Sequence, residues 1–407
     1  MFNRTTNKTS TGLGAVLITV SWLETWGVQA LMAMHRYTAN LTLHLAFKRS
    51  VSAAQWLLWA GLSSACLMAV AKAETGPANG PAVAMTMGMT VLSSTAGGGS
   101  VTVFYPAIGA AAEVKRGPFT LQLAQGSAPV SGDQRLVVFS HGSGGAPWPM
   151  VDLARSFINA GYVVAMPEHT GDNYKDMHKV GPASWKLRPG EVSQAIDAVQ
   201  QDRRFAGLID FDRVGVYGTS AGGLTALVLA GGKWSPANFK RYCASHMVDD
   251  FPACVGLAAQ LKGNWGDAIK VTLARWVHRF YFGDETLYGH QDPRIKAVLA
   301  AVPTAAPIDL TTLAKPAVAT GLIGAGRDLW LAPEHHVRAI QAVCTVCTMV
   351  LDLPEAGHGS LLSPWPQGLA QILTPLLVDP PGFVRDDLPL HYKKMVAFFT
   401  APLQLAQ

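Results

Sequence analysis

Ser220 lies where a strand is expected to turn sharply into a helix. It is the central residue of Gly-Thr-Ser-Ala-Gly-Gly (218–223), between the apolar run 213–217 and the apolar segment 224–230. Such a turn holds the central side chain exposed in a strained backbone conformation, and small neighbours avoid clashes there. A G-x-S-x-G match alone is a modest signal, but this context predicts that Ser220 is a nucleophile.

A nucleophilic serine needs a base that removes its proton, and that base needs a partner for its second ring nitrogen. His358 is the candidate base, because it lies between two glycines directly after the last predicted strand. His335 and His336 lie on a predicted helix over 333–343 and are expected to face solvent. His141 is expected to shape its loop.

Two aspartates are candidates for the acid that orients the histidine. Asp328 follows a predicted strand over 317–323 through a glycine-rich turn, which favours it. Asp309, after the preceding strand, remains the alternative. The order Ser220, Asp328, His358 along the chain is the one typical of a nucleophile on a strand-to-helix turn.

Hydrolysis also needs hydrogen-bond donors for a developing oxyanion. The backbone N–H of Ala221, directly after the nucleophile, is one candidate. The other is an N–H of the loop 141–145 (His-Gly-Ser-Gly-Gly), with Ser143 as the candidate residue.

The elements around these residues alternate between strands and helices from Val101 onward, which indicates a mostly parallel sheet covered by helices. Ligands bind such sheets at the carboxyl ends of the strands. The alternation stops in an insert, 231–292, where five apolar residues recur at helical spacing: Ile269, Leu273, Trp276, Val277 and Phe280. The insert is interpreted as a lid or wall over the site, or as a helix that packs on the core.

Together, Tyr105-Pro106, the segment 140–145 (Ser-His-Gly-Ser-Gly-Gly), the Ser220 turn, and the Asp328 and His358 loops resemble the predicted dienelactone hydrolase group. They are also similar to bacterial polyester hydrolases and platelet-activating-factor acetylhydrolases. The resemblance covers roughly 101–400. It implies the α/β-hydrolase fold, a Ser-Asp-His triad and the two oxyanion donors at Ala221 and Ser143. True dienelactone hydrolases use cysteine as nucleophile, so this sequence departs from them, and the acetylhydrolases place their acid after the earlier strand, at the position of Asp309.

The net charge of +5 is concentrated at the amino terminus. Residues 1–73 hold six of the 32 basic and one of the 27 acidic residues, so the remainder carries 26 of each and offers no general attraction to nucleic acid. Lys48 and Arg49 precede an apolar run, 56–71, which ends in Ala-Lys-Ala (71–73). This pattern predicts an export signal cleaved after Ala73, with an uncleaved membrane anchor as the alternative. A polar linker is expected over 74–100 and a hydrolase domain over 101–407.

Four cysteines follow the predicted cleavage position, and an even number in an exported protein favours disulfides. Cys243 and Cys254 lie close together in the insert and are predicted to pair. Cys344 and Cys347 enter a strand, so a structural role is expected instead of a redox one. The sequence contains no phosphate-binding loop and no convincing metal-ligand spacing.

These observations predict an exported serine carboxylic-ester hydrolase that needs no cofactor and acts through an acyl-enzyme on small neutral esters of short to medium acyl length. The expected acyl preference comes from aromatic residues of the insert: Trp265, Trp276, Phe280, Tyr281, Phe282 and Tyr288. A serine peptidase or amidase, and a binding protein without activity, are the alternatives. The oligomeric state does not follow from the sequence.

Overall fold

The computed structural model describes residues 85–94, 98–130, 134–256, 259–366 and 377–404. The predicted leader, 1–73, lies outside the described residues, and the whole of the described chain belongs to one compact unit that begins at Ala82. Among the helices of this part of the chain, none is both long and apolar enough to cross a membrane.

A ten-stranded sheet forms the centre of this unit, with the strand order β12-β11-β9-β7-β5-β6-β2-β1-β4-β3. Its strands are β1 (Met85–Ser93), β2 (Ser100–Ile108), β3 (Ala112–Arg116), β4 (Phe119–Gln125), β5 (Arg135–Ser140), β6 (Tyr162–Pro167), β7 (Val214–Thr219), β9 (Ile295–Ala301), β11 (Ala319–Ala325) and β12 (Thr348–Leu353). Two short strands, β8 (Lys233–Trp234) and β10 (Ile308–Asp309), pair separately.

The six strands from β12 to β6 in this order run parallel. Strands β5, β7 and β9 lie inside the sheet and are buried along most of their length, which explains their continuous runs of β-branched and other apolar residues. β2 pairs antiparallel with β6, and β1 with β2. Because the parallel strands share one direction, their carboxyl ends meet along one edge, where the candidate residues lie.

Helices cover both faces of the sheet, and each face has its own apolar core. The helices are α1 (Val151–Asn159), α2 (Pro182–Gln201), α3 (Ala221–Leu229), α4 (Pro236–His246), α5 (Phe251–Val255), α6 (Gly266–Tyr281), α7 (Val337–Val343) and α8 (Leu388–Thr400). Helices α2 and α3 pack with one core, and α1 and α8 with the other. The predicted arrangement of a parallel sheet between helices is therefore confirmed.

Strand β1 differs from the polar linker predicted for 74–100. Met87 and Met89 are buried in the sheet, and Gly88 lies so close to Tyr105 that an added Cβ would come within 2.3 Å of its ring. A glycine at this position makes room for the tyrosine. The sheet therefore begins before Val101, and the small and polar residues of the segment concealed a strand.

The insert consists of β8 and helices α4, α5 and α6, and it is held together by the predicted disulfide between Cys243 and Cys254, which the structure confirms. Cys344 and Cys347 form a second disulfide just before β12. On α6, Ala274 and His278 face inward, whereas the predicted apolar stripe is exposed apart from the half-buried Val277. The exposed residues of the stripe therefore do not pack on the core.

Candidate active site

Ser220 occupies the turn between β7 and α3 with φ +57° and ψ −119°. Its backbone is fixed on three sides: its N–H donates to Ala301 O (3.0 Å), and its carbonyl oxygen accepts from Thr304 N and Leu224 N. Ser220 and Val302 are the two non-glycine residues with positive φ in the described ranges. A positive φ is a strained conformation for a non-glycine residue, above all for the β-branched Val302, and both strained positions lie at the same edge of the sheet.

The glycines around Ser220 are required by close backbone contacts. A Cβ on Gly218 would lie 1.9 Å from Gly222 O, and a Cβ on Gly222 would lie 1.9 Å from Ser140 O. A Cβ on Gly223 would lie 2.8 Å from Pro303 Cα. These contacts confirm the predicted strand-to-helix turn and explain why small residues surround the serine.

The loop after β5 lies directly against Ser220. A Cβ on Gly142 would be 3.3 Å from Ser220 Cβ, so the backbone at Gly142 borders the serine side chain. Ser143, the next residue, donates from its hydroxyl to Asp172 Oδ2 (3.3 Å). Ala221 is the first residue of α3, where backbone N–H groups have no partner within the helix. Ala221 and Gly142 are thus the residues of the two predicted donor segments that lie directly beside Ser220, and Ser143 follows Gly142 in the chain.

Asp328 and His358 form a buried pair. His358 Nδ1 lies 2.7 Å from Asp328 Oδ2, and the other carboxylate oxygen accepts from the backbone N–H groups of Trp330 (2.8 Å) and Leu331 (2.9 Å). The Trp330 ring lies against the imidazole with a centroid distance of 4.9 Å. The carboxylate can accept but not donate, so the Nδ1 proton belongs to the histidine and Nε2 is free to accept a proton.

His358 Nε2 is buried and has no hydrogen-bond partner in the described part of the chain, Ser220 Oγ included. Ser220 follows β7, Asp328 follows β11 and His358 follows β12, and these three strands lie within four consecutive positions of the sheet. Catalytic hydrogen bonds are often long before substrate binds. The structure thus joins Asp328 to His358 and places Ser220 at the same edge.

Asp309, the alternative acid, does not contact the histidine. Its Oδ1 accepts from the N–H and the hydroxyl of Thr311, as the cap of a short 3-10 helix over Leu310–Leu313. The glycines on both sides of His358 make close contacts with another segment of the chain. A Cβ on Gly357 would meet Pro380 at 2.9 Å and one on Gly359 would meet Leu377 O at 2.5 Å, so they admit a neighbouring segment.

A buried ion pair behind the Ser143 loop was not predicted. The side chains of Arg188 (α2) and Asp172 are both fully buried and 2.8 Å apart. Arg188 also donates to the carbonyl oxygens of His141 (2.5 Å) and Gly142 (3.3 Å), and Asp172 Oδ1 accepts from Gly144 N (2.8 Å). The pair therefore fixes the loop from both its donors and its acceptors. A polar cluster directly after β6 was the available sequence signal.

The electrostatic effect of this pair is strong. Burial alone would raise the pKa of Asp172, but the Arg188 charge and hydrogen bonds from Ser184 and Gly144 N lower it. Burial, together with the positive charge of Arg188, holds the pKa values of His141 and His169 well below their ordinary range. Both imidazoles are therefore neutral structural groups, as expected for His141.

His169 connects this loop to helix α2. Its Nδ1 lies 2.7 Å from Glu191 Oε2 and its Nε2 lies 2.8 Å from Ser140 Oγ, while Thr170 N donates to Glu191 Oε1. In the neutral ring, Nδ1 donates to the carboxylate and Nε2 accepts from the serine hydroxyl. Ser140 is the last residue of β5, so this network holds the point where the loop begins.

A second buried aspartate–histidine pair corrects the prediction for His336, which was expected to face solvent. His336 Nε2 lies 2.8 Å from Asp250 Oδ2, and its Nδ1 accepts from Ala305 N (2.9 Å). Helix α7 begins at Val337, so His336 precedes the helix and is buried. His335, beside it, is half-buried.

Asp250 belongs to the insert and also holds the loop that carries Asp328. It accepts from Tyr242 OH and from Ala332 N (3.1 Å). Burial alone would raise the pKa of Asp250, but hydrogen bonds from His336, Tyr242 and Ala332 N lower it. Burial and the nearby carboxylate raise the pKa of Tyr242. The pair thus ties the insert to the loop that follows β11.

No group of three or more His, Cys, Asp or Glu side chains within the described ranges is arranged to hold a metal ion. A cavity of about 460 Å³ lies at the opposite end of the sheet, near the start of β5, lined by Gln134, Arg135, Gln404 and the segment 206–210. Its lining contains none of the candidate residues.

Comparisons with known proteins address the fold. No family model matches the chain, and no curated protein matches it. A ferulic acid esterase from Streptomyces cinnamoneus superposes with a TM-score of 0.50 at 16% identity, over 81% of this chain and 92% of the esterase. A putative dienelactone hydrolase from Klebsiella pneumoniae subsp. pneumoniae gives a TM-score of 0.43 at 13% identity, over 78% and 98% of the two chains. The parallel sheet, its strand order and the first of these likenesses show that the chain has the α/β-hydrolase fold.

Proposed function

We propose that this protein is an exported serine hydrolase that cleaves carboxylic esters of small neutral molecules. The observation that carries the proposal is the buried Asp328–His358 pair, whose free Nε2 lies at the same sheet edge as the strained Ser220 turn. An orienting carboxylate, an imidazole with a free nitrogen and a serine on a strand-to-helix turn are the groups that acyl transfer requires.

In the proposed mechanism, Ser220 Oγ attacks the ester carbonyl carbon while His358 Nε2 takes the hydroxyl proton. The imidazolium formed in this step is stabilised by Asp328, to which Nδ1–H donates. Nε2 then gives its proton to the departing alkoxide, which leaves as the alcohol, and the acyl group remains on Ser220. A water molecule that loses its proton to Nε2 releases the carboxylic acid and restores the serine.

The oxyanion of both steps is stabilised by the N–H groups of Ala221 and Ser143. Ala221 N is at the start of α3, where the helix dipole also favours negative charge. The Ser143 loop is pre-positioned because Arg188 and Asp172 fix the atoms on either side of it. A donor held in place before the reaction avoids the free-energy cost of reorganising it.

The proposed acyl preference rests on different residues from the aromatic residues of the insert that the sequence indicated. Four of the six aromatic residues of the insert are exposed on the protein surface: Trp265, Trp276, Phe280 and Tyr281. Trp330 borders His358, and the neighbouring Leu329 is exposed. Arg327, the cation closest in sequence, is paired with Glu355. Apolar neighbours without a free charge favour neutral esters of short to medium acyl length.

A series of p-nitrophenyl esters of increasing acyl length tests the proposal on the purified protein. We expect a clear optimum, since each methylene changes specificity by about 1–3 kcal/mol in an apolar site. Turnover of the matching p-nitroanilides at a similar rate would assign the site to a peptidase or amidase instead. Absence of labelling by a fluorophosphonate would indicate a binding protein.

Variants test the proposed roles. Ser220→Ala should lower kcat by about 10⁴- to 10⁶-fold, and Asp328→Asn by about 10⁴-fold, because the asparagine no longer holds the required imidazole tautomer. Asp309→Asn is the matched control and should keep near-normal turnover, because Asp309 only caps a short helix. A large loss in Asp309→Asn with little loss in Asp328→Asn would transfer the acid role to the earlier strand.

Export is proposed from the sequence pattern before Glu74 and is supported by the two disulfides, which form and persist in oxidising compartments. Amino-terminal sequencing of the protein from its native host should find Glu74 first. A chain that retains residues upstream of Glu74 would contradict cleavage at Ala73 and would favour a membrane anchor.

A further inference from the structure

Helix α6 and the residue that caps its amino terminus, Trp265, carry a row of large apolar side chains on the outer face, which we call the α6 ridge. Its five members are Trp265 (85% exposed), Ile269 (59%), Leu273 (50%), Trp276 (43%) and Phe280 (63%). They recur every three or four residues, so they project from one side of the helix. Single exposed apolar residues are ordinary, but five large ones in a continuous row mark an interaction surface.

The ridge faces outward because the opposite side of α6 is fixed to the protein. Ala274 and His278 are buried on that side, and His278 Nε2 donates to Cys254 O (2.9 Å) on helix α5. The His278 ring also packs against Phe239 and Phe282, with centroid distances of 5.2 and 4.7 Å. Rotation of α6 to bury its ridge would break these contacts, so the exposure is a property of the folded insert.

Positive charge flanks the ridge. Arg275 and Arg279 are exposed beside it, and neither guanidinium has an ion-pair partner among the residues that the structure describes. The acid of the helix, Asp267, is engaged elsewhere: one of its oxygens accepts from three backbone N–H groups of the segment 262–264 and the other pairs with Lys270. The outer face therefore combines aromatic side chains with free cations.

A second copy of the chain is a poor fit to the ridge. Fully exposed side chains of this size offer roughly 150–250 Å² each, so at their exposed fractions the five supply on the order of 600 Å². A stable dimer buries about 800 Å² per partner across a broad complementary patch. The ridge is one helix of 16 residues, about 24 Å long, with like charges on its flank that would repel in a self-association.

We infer that the α6 ridge docks the protein on the surface of an anionic lipid bilayer. A helix with aromatic and aliphatic side chains on one face and arginines beside them lies in the plane of the interface, with its apolar face among the upper acyl chains. Arginines at that depth reach the anionic headgroups. The proposal concerns the location of the enzyme, independently of its substrate.

The test uses the full chain with vesicles of phosphatidylcholine alone or with about one-third phosphatidylglycerol, in a flotation assay. We expect binding to the anionic vesicles that weakens with salt. Leu273→Glu/Phe280→Glu should weaken it at least about tenfold, or 1.4 kcal/mol. Arg275→Gln/Arg279→Gln should weaken it severalfold and reduce its salt dependence. Val346→Glu/Leu390→Glu, which changes two exposed apolar residues away from α6, is the matched control and should bind like the wild type.

A local readout separates the ridge from any other membrane-binding segment of the chain. Brominated lipids should quench the tryptophan fluorescence, and Trp265→Phe should remove part of that quenching while leaving binding nearly unchanged. Circular dichroism and urea unfolding verify that each variant is folded. Equal binding of the ridge variants and the control, or unchanged quenching in Trp265→Phe, would overturn the proposal. So would a dimer that the ridge substitutions convert to a monomer without any effect on lipid binding, because the ridge would then be a self-association surface.

Discussion

Replacement of Arg188 by methionine should destabilise the protein and slow ester turnover, because Arg188 holds the loop that carries Ser143. The guanidinium is fully buried and donates to Asp172, Ser184, and the carbonyl oxygens of His141 and Gly142. Methionine fills a similar volume, so the change removes charge and donors and leaves little cavity. The carboxylate of Asp172 then remains buried without its counter-charge.

The expected loss follows from the burial of both partners. Removal of one member of a buried ion pair costs about 3–5 kcal/mol, since the remaining charge is uncompensated. Asp172 keeps hydrogen bonds from Ser184 Oγ and Gly144 N, which places the expected loss toward the lower end of that range. Arg204→Met is the matched control, because Arg204 pairs with Asp202 at the exposed surface. Such a pair contributes about 0–1 kcal/mol.

The assay is urea unfolding at neutral pH, followed by circular dichroism, for the wild type and both variants. Arg188→Met should also lower kcat for a p-nitrophenyl ester with a smaller change in KM, because the Ser143 loop that it releases acts on the transition state. An Arg188→Met variant whose free energy of unfolding falls by less than about 1 kcal/mol, as in the Arg204 control, would refute the assignment of this pair as the support of the loop.

Three further predictions concern the turn, the buried histidines and the insert. Gly222→Ala should prevent folding of the strand-to-helix turn and yield little soluble protein, because its Cβ would lie 1.9 Å from Ser140 O; normal yield and turnover would contradict this. The pKa values of His141 and His169 are lowered in the folded protein, so below about pH 6.5 the unfolded chain binds more protons than the folded one. As the pH is lowered through this range, the free energy of unfolding should therefore fall by up to about 1.4 kcal/mol per pH unit for each histidine. A free energy of unfolding that stays constant from pH 7.5 to about 5.5 would argue against neutral buried imidazoles. Cys254→Ala should cost about 2–3 kcal/mol, the chain-entropy value for a disulfide that closes a separation of 11 residues, and an unchanged urea midpoint would show that the bond does not constrain the unfolded chain.

The sheet was predictable because its inner strands are buried on both faces. Strands such as β5 and β7 consist of continuous apolar runs bounded by glycine or polar residues, and local pattern alone identifies them. Strand β1 was missed because its buried residues are two methionines separated by Gly88. The small size of Gly88 leaves space for the ring of Tyr105 on the neighbouring strand. That requirement comes from packing and leaves no local signal.

In the candidate site, too, the features marked by local sequence could be predicted, whereas those that depend on distant residues could not. Ser220, Asp328 and His358 each lie in a loop whose local residues mark the end of a strand, so their positions could be proposed from sequence. The burial of His336 depends on Asp250, which lies 86 residues earlier, and no local pattern contains that partner. The apolar stripe of α6 is compatible with a lid or with a helix on the core, and its pattern does not reveal that Ala274 and His278 face inward while most of the stripe is exposed.

The contact between Asp250 and His336 limits how the insert can diverge. Loops that determine substrate specificity can usually be exchanged without changes in the scaffold, because loops tolerate replacement. Here the Asp250 carboxylate accepts hydrogen bonds from Tyr242 OH in the insert and from His336 Nε2 and Ala332 N in the loop after β11. A chimera that receives a foreign insert without an acid at this position would leave His336 buried with one unpaired nitrogen. Successful exchanges in this scaffold should therefore carry the aspartate with the insert or replace both partners together.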